Sequence, residues 1–587
     1  MLITKEDLAE LWKHLTSEAT NGTCSTMIFV ANNCDALCAC KILTDLLKQS
    51  SIQYTCVPVF SYSEIDENLS EEKLSEDIKS LIFLNCAAKL DVNSLWFQEK
   101  DLGIKTFIFE SQRPLHHNTV LSQKAVYVVD FGDINIAEVP EDDDFEVFEQ
   151  EMEAEGEDQP VDGEKEYQLI TNGGNKNDEE AKLDGEGDDE EFDDDLIGKK
   201  RPRDADEEEK NKLDRRKRIE RVSTYYEGVY HSKSCAYLAY CLGSQLNKQN
   251  VDSFWLWILG LTDQLIHSKI SQFEYDDEIN GCQKEYLSIA GQDLQHEENV
   301  STNVQKEGVE ANFDAKGLFY QNVDLQTDNI KVGSIIPSYE FRFMFMRSWS
   351  LYNSVYYSNY VVSKLRLWTD DGKRDLKRFF ASLGIPDTEY NQKYSFMTPK
   401  FKNALKEKIE GVASSFGLDH IMFSSFVRQI DNKTQMNASD MVYAITSILE
   451  APRAVMIENI PQLEKEQNGK AQEEVEVAQS SNDIHERQVE NFWAAYTALD
   501  IKHKQYIDYG IVLSKEMQQA LMTQGTSILT GKKLLPTSKF WYAVISNDSL
   551  TQTKIFQHPM AIQKLASFLA EASRVSKSTG KKLPVVV

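Results

Sequence analysis

Residues 26–129 alternate between short apolar runs and a helical pattern, and this alternation decides the fold class. Five runs are apolar or β-branched enough to form strands: residues 26–31, 52–59, 81–84, 104–109 and 125–129. Residues 35–49 carry apolar side chains at helical spacing, with Asp35 placed to cap the helix. Apolar strands separated by helices predict an α/β fold with a parallel sheet covered on both faces.

The carboxyl ends of these strands mark the candidate site, because ligands of parallel sheets bind there. Polar residues follow the first, third and fourth strands: Asn33, Asp35, Asn85, Glu110, Ser111 and Gln112. A hydrolase that holds two metal ions needs several converging carboxylates and histidines. One aspartate, one glutamate and neutral amides do not supply that charge, so we expect no catalytic residue, metal or cofactor there. The chain also has neither a dinucleotide-binding glycine motif nor a Walker A motif.

Cysteines and histidines near this edge offer an alternative metal site. Cys34 and Cys38 would share one helix face while Cys40 points elsewhere, and no fourth ligand follows, so burial in the core is preferred. His116 and His117 have no carboxylate or cysteine at usable spacing, and a polar loop is preferred. Nine cysteines, all in the first half of the chain, fit a reducing compartment rather than a disulfide framework.

Residues 141–198 contain 26 acidic and three basic residues, and they account for most of the formal charge of −32. The rest of the chain is near −9, which is mild enough to allow local basic contacts. A segment of this composition buries too little apolar surface to offset the entropy of ordering, so we expect it to be disordered.

Two basic clusters follow the acidic segment, separated by eleven residues. They comprise Lys199, Lys200, Arg201 and Arg203, and then Arg215, Arg216, Lys217 and Arg218. This spacing predicts a bipartite nuclear import signal. A helix with a solvated basic face, or a tether that balances the acidic block, is the alternative.

Residues 276–333 and 463–488 are polar and are expected to form surface insertions or long loops. Residues 254–261 are apolar almost all round a predicted helix, which indicates burial in a core in preference to a partner surface. This run is too short to span a bilayer, and no signal peptide is visible, so we expect a soluble intracellular protein.

Residues 336–410 are rich in aromatic residues and are predicted to be helical. One predicted helix carries four basic residues: Lys373, Arg374, Lys377 and Arg378. They lie close to Phe379 and Phe380, and such interleaving can bind a single strand by charge and stacking. The preferred alternative is an amphipathic helix with core aromatics and a solvated basic face.

The last third of the chain again alternates. Residues 420–430, 511–513, 540–545 and 583–587 are predicted strands. Residues 439–449, 490–499 and 561–572 are predicted helices, the first of them capped by Ser439. The pattern indicates a second α/β domain.

Several blocks, in order along nearly the whole chain, resemble the eukaryotic family of cell division cycle protein forty-five. The first is DALCACKIL, from Asp35 to Leu43, and Asn85–Cys86 and Arg113–Pro114 continue the likeness. Further blocks are GLTDQ at residues 260–264, WSL at 349–351, KLRLW at 364–368 and ASDMV at 438–442. The acidic segment and the polar loops are not covered.

The resemblance implies a non-catalytic subunit of the replicative DNA helicase, which joins the Mcm ring and the GINS complex on replication-origin chromatin in the nucleus. Weak contact with single-stranded DNA is a further implication. It also implies kinship with the DHH (RecJ-like) phosphoesterases, whose strands end in Asp-x-Asp, Asp and Asp-His-His. Here those positions read Asn33–Cys34–Asp35, Asn85 and Glu110–Ser111–Gln112, so only Asp35 is unchanged and the site looks vestigial.

The implied organisation has five parts. They are a DHH-like domain over residues 1–140, the acidic insert with its basic end over 141–221, a second DHH-like part over 222–335, a helical insertion over 336–410, and a DHHA-like α/β domain over 411–587. Two other functions stay open. One is a divergent manganese phosphoesterase that uses Asp35, Glu110, Asp130 and Asp133; the other is an acidic histone chaperone that binds through residues 141–198.

Overall fold

The computed structural model describes residues 1–17, 24–100, 102–156, 203–298, 312–313, 319–320, 331–432, 434–452, 481–537, 540–545, 555–556, 558–576 and 584–587. The chain forms two compact units. The first comprises Met1–Phe29 and Leu47–Lys233, and the second Val30–Leu46 and Ser234–Val587.

The elements up to the end of the first unit follow the predicted alternation. In chain order they are β1 (Leu2–Ile3), α1 (Leu8–Ser17), β2 (Thr26–Ala31), α2 (Cys34–Gln49), β3 (Tyr54–Val59), α3 (Tyr62–Asn68), β4 (Ser80–Leu84), α4 (Trp96–Glu99), β5 (Lys105–Phe109), β6 (Gln112–Arg113), α5 (His117–Val120), β7 (Val126–Val129), α6 (Asp142–Gly156), α7 (Arg203–Tyr226) and β8 (Tyr230–His231). The end of β2 and most of α2 belong to the second unit.

A six-stranded sheet in the order β1-β7-β5-β4-β2-β3 forms the core of this region. The pairs β1–β7, β7–β5 and β5–β4 are parallel. All five residues of β4 are buried, as are four of the five in β5, which is typical of strands covered on both faces. The predicted parallel α/β sheet is therefore confirmed.

The start of the acidic segment differs from the expected disorder, because residues 142–156 form helix α6. Three aspartates lie in its first turn, where the helix dipole favours negative charge. The helix packs along α7, and Asp144 accepts a hydrogen bond from Arg221 at 2.9 Å. Oppositely charged residues from the basic stretch thus stabilise what composition alone predicts to be disordered. Residues 157–202 lie outside the described residues.

The second unit contains most of the helices and three small sheets. Its further elements are α8 (Cys235–Gln245), α9 (Val251–Ile266), α10 (Gln272–Glu298), β9 (Asn312–Phe313), β10 (Phe319–Tyr320), β11 (Ile335–Phe341), α11 (Leu351–Tyr356), α12 (Asn359–Leu365), α13 (Asp370–Leu383), α14 (Asp387–Asn391), α15 (Pro399–Ala413), β12 (Met422–Gln429), β13 (Gln435–Asn437), α16 (Ala438–Leu449), α17 (Ser481–Ala498), α18 (Lys504–Thr530), β14 (Leu535–Pro536), β15 (Trp541–Tyr542), α19 (Pro559–Ser576) and β16 (Val585–Val586).

Helix α10 corrects the loop expected over residues 276–333. Tyr275, Ile279 and Cys282 are fully or almost fully buried, and their spacing of three to four residues defines one apolar face. The polar residues around this narrow face dominate the composition, which is why the segment reads as a loop. Of the remainder of that segment, only the paired strands β9 and β10 and the residues from 331 onward are described.

The aromatic-rich region begins with a strand rather than a helix. Strand β11 pairs antiparallel with β12, and β12 pairs with β13. Helices α11 to α15 follow, and their buried residues form one core with residues of α18 and α19. The aromatic side chains that precede the helices are therefore largely core and sheet residues, as Phe343 and Phe345 illustrate at 4% and 0% exposure.

Three other boundaries differ from the sequence predictions. Residues 511–513 lie inside the long helix α18, because an apolar run of three residues fits a buried helix face as well as a strand. Helix α16 is capped by Asn437, whose side chain accepts from the amide of Asp440, rather than by Ser439. The segment expected to form a loop over 463–488 ends in helix α17, and residues 453–480 lie outside the described residues.

Helix α9 is buried on most of its surface, as expected from its apolar sequence. It packs against α8 and α16. Among the described residues, no helix combines the length and apolar character needed to cross a bilayer.

The packing of α18 against α16 predicts a sharp size limit at Gly510. A methyl group at Gly510 would lie 2.6 Å from the carbonyl oxygen of Ala444. We therefore expect Gly510→Ala to lower the free energy of unfolding by about 2 kcal/mol, because overpacked backbones must move apart. Urea unfolding followed by circular dichroism measures it.

Gly411 on α15 is the matched control, since a Cβ there meets nothing within 4 Å. Gly411→Ala should leave stability unchanged or raise it by about 0.5 kcal/mol through helix propensity. Equal effects of the two substitutions would contradict the close approach of α16 and α18.

Candidate functional site

Asn33 rather than Asp35 caps helix α2. The helix begins at Cys34, one residue earlier than the sequence predicts, and the Asn33 side-chain oxygen accepts from the amide of Ala36 at 2.8 Å. An amide at this position satisfies one of the free N–H groups of the first turn. Asp35 is thereby released for a different contact.

Asp35 is fully buried, and its carboxylate binds the N-terminus of helix α8. One oxygen accepts from the amide of Cys235 at 2.8 Å, and the other accepts from the amide of Ala236 at 2.9 Å. Two exposed amides and the positive end of the helix dipole are a favourable environment for an anion. Asp35 is the one residue that is unchanged from the DHH phosphoesterase motifs named in the sequence analysis. Its carboxylate is thus hydrogen-bonded to backbone amides of its own chain.

Gly260 on helix α9 shows how closely this contact is packed. A Cβ at Gly260 would lie 2.5 Å from the Asp35 carboxylate and 2.7 Å from the Cβ of Ala236. The buried carboxylate, α8 and α9 therefore fit together only because residue 260 is glycine.

In the first unit, the polar residues after β4 and β5 tie the two strand ends together. The Asn85 side-chain oxygen accepts from the amide of Ser111 at 2.9 Å. Glu110 is 2% exposed, and its two oxygens accept from the amides of Ala87 at 3.0 Å and Gln112 at 3.1 Å. These side chains stabilise the turns that follow the strands.

Ser111 and Gln112 act mainly through their backbone. The Ser111 carbonyl accepts from the amide of Ser232 at 2.7 Å, and Gln112 opens strand β6, which pairs antiparallel with β8. Asn33, Asn85, Glu110, Ser111 and Gln112 follow the ends of strands β2, β4 and β5, whereas Asp35 lies in the first turn of helix α2. Each of these residues forms hydrogen bonds with other parts of the chain, through its side chain or its backbone.

Arg113 is a residue of this region that reasoning about the candidate site missed. Its side chain is 2% exposed, and its Nε lies 2.7 Å from an oxygen of Asp133. Its Nη1 donates to the carbonyl of Glu110 at 2.8 Å, and Asp130 lies 3.7 Å away from Nη2. In the sequence, Arg113 is noticeable only as part of the Arg113–Pro114 block. A single arginine forms no repeating pattern from which its burial or its partners could be predicted.

The Asp130–Asp133 pair titrates unevenly. Burial, followed by the hydrogen bond with Asp133, raises the pKa of Asp130 to about 6. At Asp133, burial on its own would raise the pKa. The hydrogen bond with Asp130 and the charge of Arg113 outweigh burial, so the pKa of Asp133 is lowered. The two carboxyl groups thus share a proton beside a buried guanidinium below about pH 6.

The described residues contain no group of three or more His, Cys, Asp or Glu side chains placed to hold a metal ion. Cys34, Cys38 and Cys40 are buried, as expected, and the hydrogen bond between Cys34 and Cys38, followed by burial, raises the pKa of the Cys34 thiol well above its usual value.

The histidine pair differs from the expected polar loop. His117 begins the short helix α5 and is buried against Phe145, with its ring Nδ1 3.0 Å from the Tyr226 hydroxyl. Burial, with a contribution from His116, lowers the pKa of His117 to about 4.

The four basic residues of α13 are exposed, whereas Phe379 and Phe380 are buried at 0% and 1%. Arg374 pairs with Asp371, and Arg378 pairs with Asp375. The preferred interpretation, an amphipathic helix with core aromatics, is confirmed. Stacking of bases on these two rings is therefore excluded.

The second basic cluster lies on helix α7. Arg215 forms an ion pair with Glu151 at 2.9 Å, and Arg218 lies 3.9 Å from Asp144, both of them on helix α6. Lys199, Lys200 and Arg201 lie outside the described residues, and Arg203 is the first residue of α7.

The contact between Asp35 and α8 predicts that replacement of Asp35 lowers the stability of the chain. Asp35→Ala removes the acceptor of two buried amides, and we expect it to lower the free energy of unfolding by about 2 kcal/mol. Chemical denaturation of the purified chain measures this.

Asp66→Ala is a suitable control, because Asp66 is an exposed carboxylate on α3. Its effect should stay within about 0.5 kcal/mol. If Asp35→Ala were as stable as the control, the capping role of Asp35 would be wrong.

Comparison with known proteins gives consistent matches along the chain. The model of the CDC45 family matches residues 26–587. The cell division control protein 45 homologue of Dictyostelium discoideum is 31% identical and covers 97% of this chain and 86% of its own length. That of Schizosaccharomyces pombe is 28% identical and covers 100% of this chain and 87% of its own length.

A solved structure agrees in fold. The crystal structure of CDC45 from Entamoeba histolytica superposes with a TM-score of 0.62, at 19% identity, and covers 100% of this chain and 85% of its own. Since the family model extends over almost the entire sequence, the chain belongs to the CDC45 family.

Proposed function

We propose that this chain is a non-catalytic subunit of the eukaryotic replicative DNA helicase, where it joins the Mcm ring to the GINS complex in the nucleus. The observation that carries the proposal is the match of the CDC45 family model to residues 26–587. Family membership supports a role in DNA replication. The helicase partners come from the resemblance described above.

The geometry at the strand ends supports the non-catalytic part of the proposal. Activation of water by two metal ions requires carboxylates that are free to bind the metals. Asp35 accepts from two backbone amides, Glu110 accepts from two others, and Asp133 pairs with Arg113. A manganese site at these residues would have to break contacts that hold the turns together.

A subunit that joins partners needs exposed surfaces that remain to be covered. Phe273 on α10 and Phe396 after α14 are 83% and 73% exposed. Large aromatic side chains are enriched at the centres of protein interfaces. We assign both to partner surfaces of this chain.

Contact with single-stranded DNA, if made through α13, rests on charge alone. Lys373 and Lys377 are exposed, whereas the neighbouring arginines pair with aspartates one turn away. Because Phe379 and Phe380 are buried, this surface offers phosphate contacts but no stacking platform. Such binding would weaken steeply as salt increases.

Co-purification tests the proposed assembly. The tagged chain, isolated from a nuclear extract at moderate salt, should retain the Mcm and GINS subunits. Deletion of residues 157–198 should leave this assembly largely intact, because it keeps helix α6 and the proposed contacts lie on the folded units. Loss of Mcm and GINS from the intact chain would contradict the proposal, and loss of histones alone on deletion would favour the chaperone.

We also propose that the two basic clusters direct nuclear import. Alanine at Lys199, Lys200 and Arg201 should shift a fluorescent fusion from the nucleus to the cytoplasm, since import receptors read clustered positive charge. Alanine at Arg216 and Lys217 should have a weaker effect, and Arg215 and Arg218 are already in contact with acidic residues of α6.

Alanine at Lys373, Arg374 and Lys377 also removes three positive charges, from the exposed face of helix α13, and serves as the control. Unchanged nuclear accumulation after replacement of the first cluster would eliminate the import signal.

A further inference from the structure

A cavity of about 460 Å³ opens within the second unit. It is bounded by the loop after α9, the end of β11, helix α12 and helix α19. Cavities of 300–1,000 Å³ accommodate organic ligands of drug or nucleotide size. The volume alone permits a ligand, and the chemistry of the lining identifies its class.

The lining is strongly cationic. Its basic residues are Lys269, Arg342, Lys364, Lys564 and Arg574, whereas Glu571 supplies the carboxylate among the lining residues. Lys269 is neutralised by Asp263 at 2.9 Å, and Lys564 by Glu450 at 2.6 Å. The charges that remain are positive at Arg342, Lys364 and Arg574 and negative at Glu571. The cavity therefore keeps an excess of positive charge.

Arg342 is the clearest sign of a missing anion. Its guanidinium donates to Gln272 and lies over the rings of Tyr360 and Phe423, at 5.3 and 5.6 Å from their centroids. The main carboxylate charge acting on it is that of Asp276, which accepts from the Gln272 side chain at 2.7 Å. Burial lowers its pKa, so the charge is held there against desolvation.

Three lining residues also carry a buried polar atom without a hydrogen-bond partner among the described residues. These atoms are the Nε of Arg342, the Oγ of Ser439 and the Nε2 of His267. The other ring nitrogen of His267 already contacts Asp263 at 2.9 Å. Buried polar atoms are almost always paired in folded proteins, and these three, which have almost no accessible surface, would reach a ligand only after a side-chain rotation.

We propose that this cavity binds a small phosphorylated ligand of nucleotide size. A phosphate group offers several oxygens at once to a guanidinium, an ammonium and a hydroxyl, and planar arginine is well suited to it. The half-buried rings of Phe341 and Tyr443 give the organic part of the ligand an apolar surface. This inference does not depend on the proposed helicase partners.

Calorimetric titration of the full chain tests the site. Inorganic phosphate and a nucleoside 5′-monophosphate and 5′-triphosphate should each bind saturably at one site, the nucleotides more tightly than phosphate. Lys364→Ala and Arg574→Ala should each weaken nucleotide binding by about tenfold, because each removes a charge-assisted contact. Both side chains are exposed, so the variants are expected to fold.

Ser439→Ala provides a second variant, which should weaken nucleotide binding without lowering the unfolding temperature, since its hydroxyl has no hydrogen-bond partner among the described residues. Lys400→Ala combined with Lys533→Ala is the control, because it removes two exposed cations outside the cavity. These control substitutions should leave the titration unchanged.

Single-stranded oligonucleotides with and without a 5′-phosphate distinguish a strand end from a free nucleotide as the source of the phosphate. Binding of the phosphorylated strand alone, with competition by the nucleotide, identifies a strand end; binding of the free nucleotide alone identifies a soluble ligand. No saturable binding of phosphate or of either nucleotide would overturn the proposal. Equal affinities in the wild-type chain and in the Lys364 and Arg574 variants would also overturn it.

Discussion

The bond between the Asp35 carboxylate and the first amides of helix α8 is the interaction on which the second unit depends. It places a buried acceptor at a helix N-terminus, where two N–H groups would otherwise lack partners. Gly260 brings α9 against the same carboxylate. A single acidic side chain thus fixes the start of α2 relative to α8 and α9, and its removal would leave three buried elements poorly matched.

The same use of polar residues recurs in the first unit. Asn85 and Glu110 bond the turns after β4 and β5, and Arg113 is held by Asp133 and by the carbonyl of Glu110. In an enzyme, the ends of parallel strands carry side chains that point towards a substrate. Here the corresponding side chains form hydrogen bonds with the chain itself, and these bonds stabilise the turns that follow the strands.

The local part of this structure could be predicted from the sequence. The strands at Thr26–Ala31 and Lys105–Phe109 follow from apolar runs, and the burial of α9 follows from its composition. Helix α10 was missed because its buried face is only one residue wide per turn. Helix α6 was missed because composition says nothing of a basic partner, Arg221, that lies far along the chain.

The role of Asp35 was predicted wrongly for a related reason. Its position at the start of a helix suggested a cap for that helix, whereas its partners Cys235 and Ala236 lie about two hundred residues later. Long-range contacts of this kind leave no periodic pattern. The cavity beside Arg342 could not be predicted from the sequence either, because its basic residues come from segments that are distant in sequence.

We propose that the strand-end carboxylates of this CDC45-family chain stabilise the fold and do not take part in a reaction. The most direct test is a titration of the purified chain with Mn²⁺ while the release of nucleotides from a single-stranded oligonucleotide is measured. We expect no saturable Mn²⁺ binding at the strand ends and no release above background. Stoichiometric Mn²⁺ binding together with nucleotide release, both abolished by Asp35→Asn in a chain that remains folded, would contradict the account.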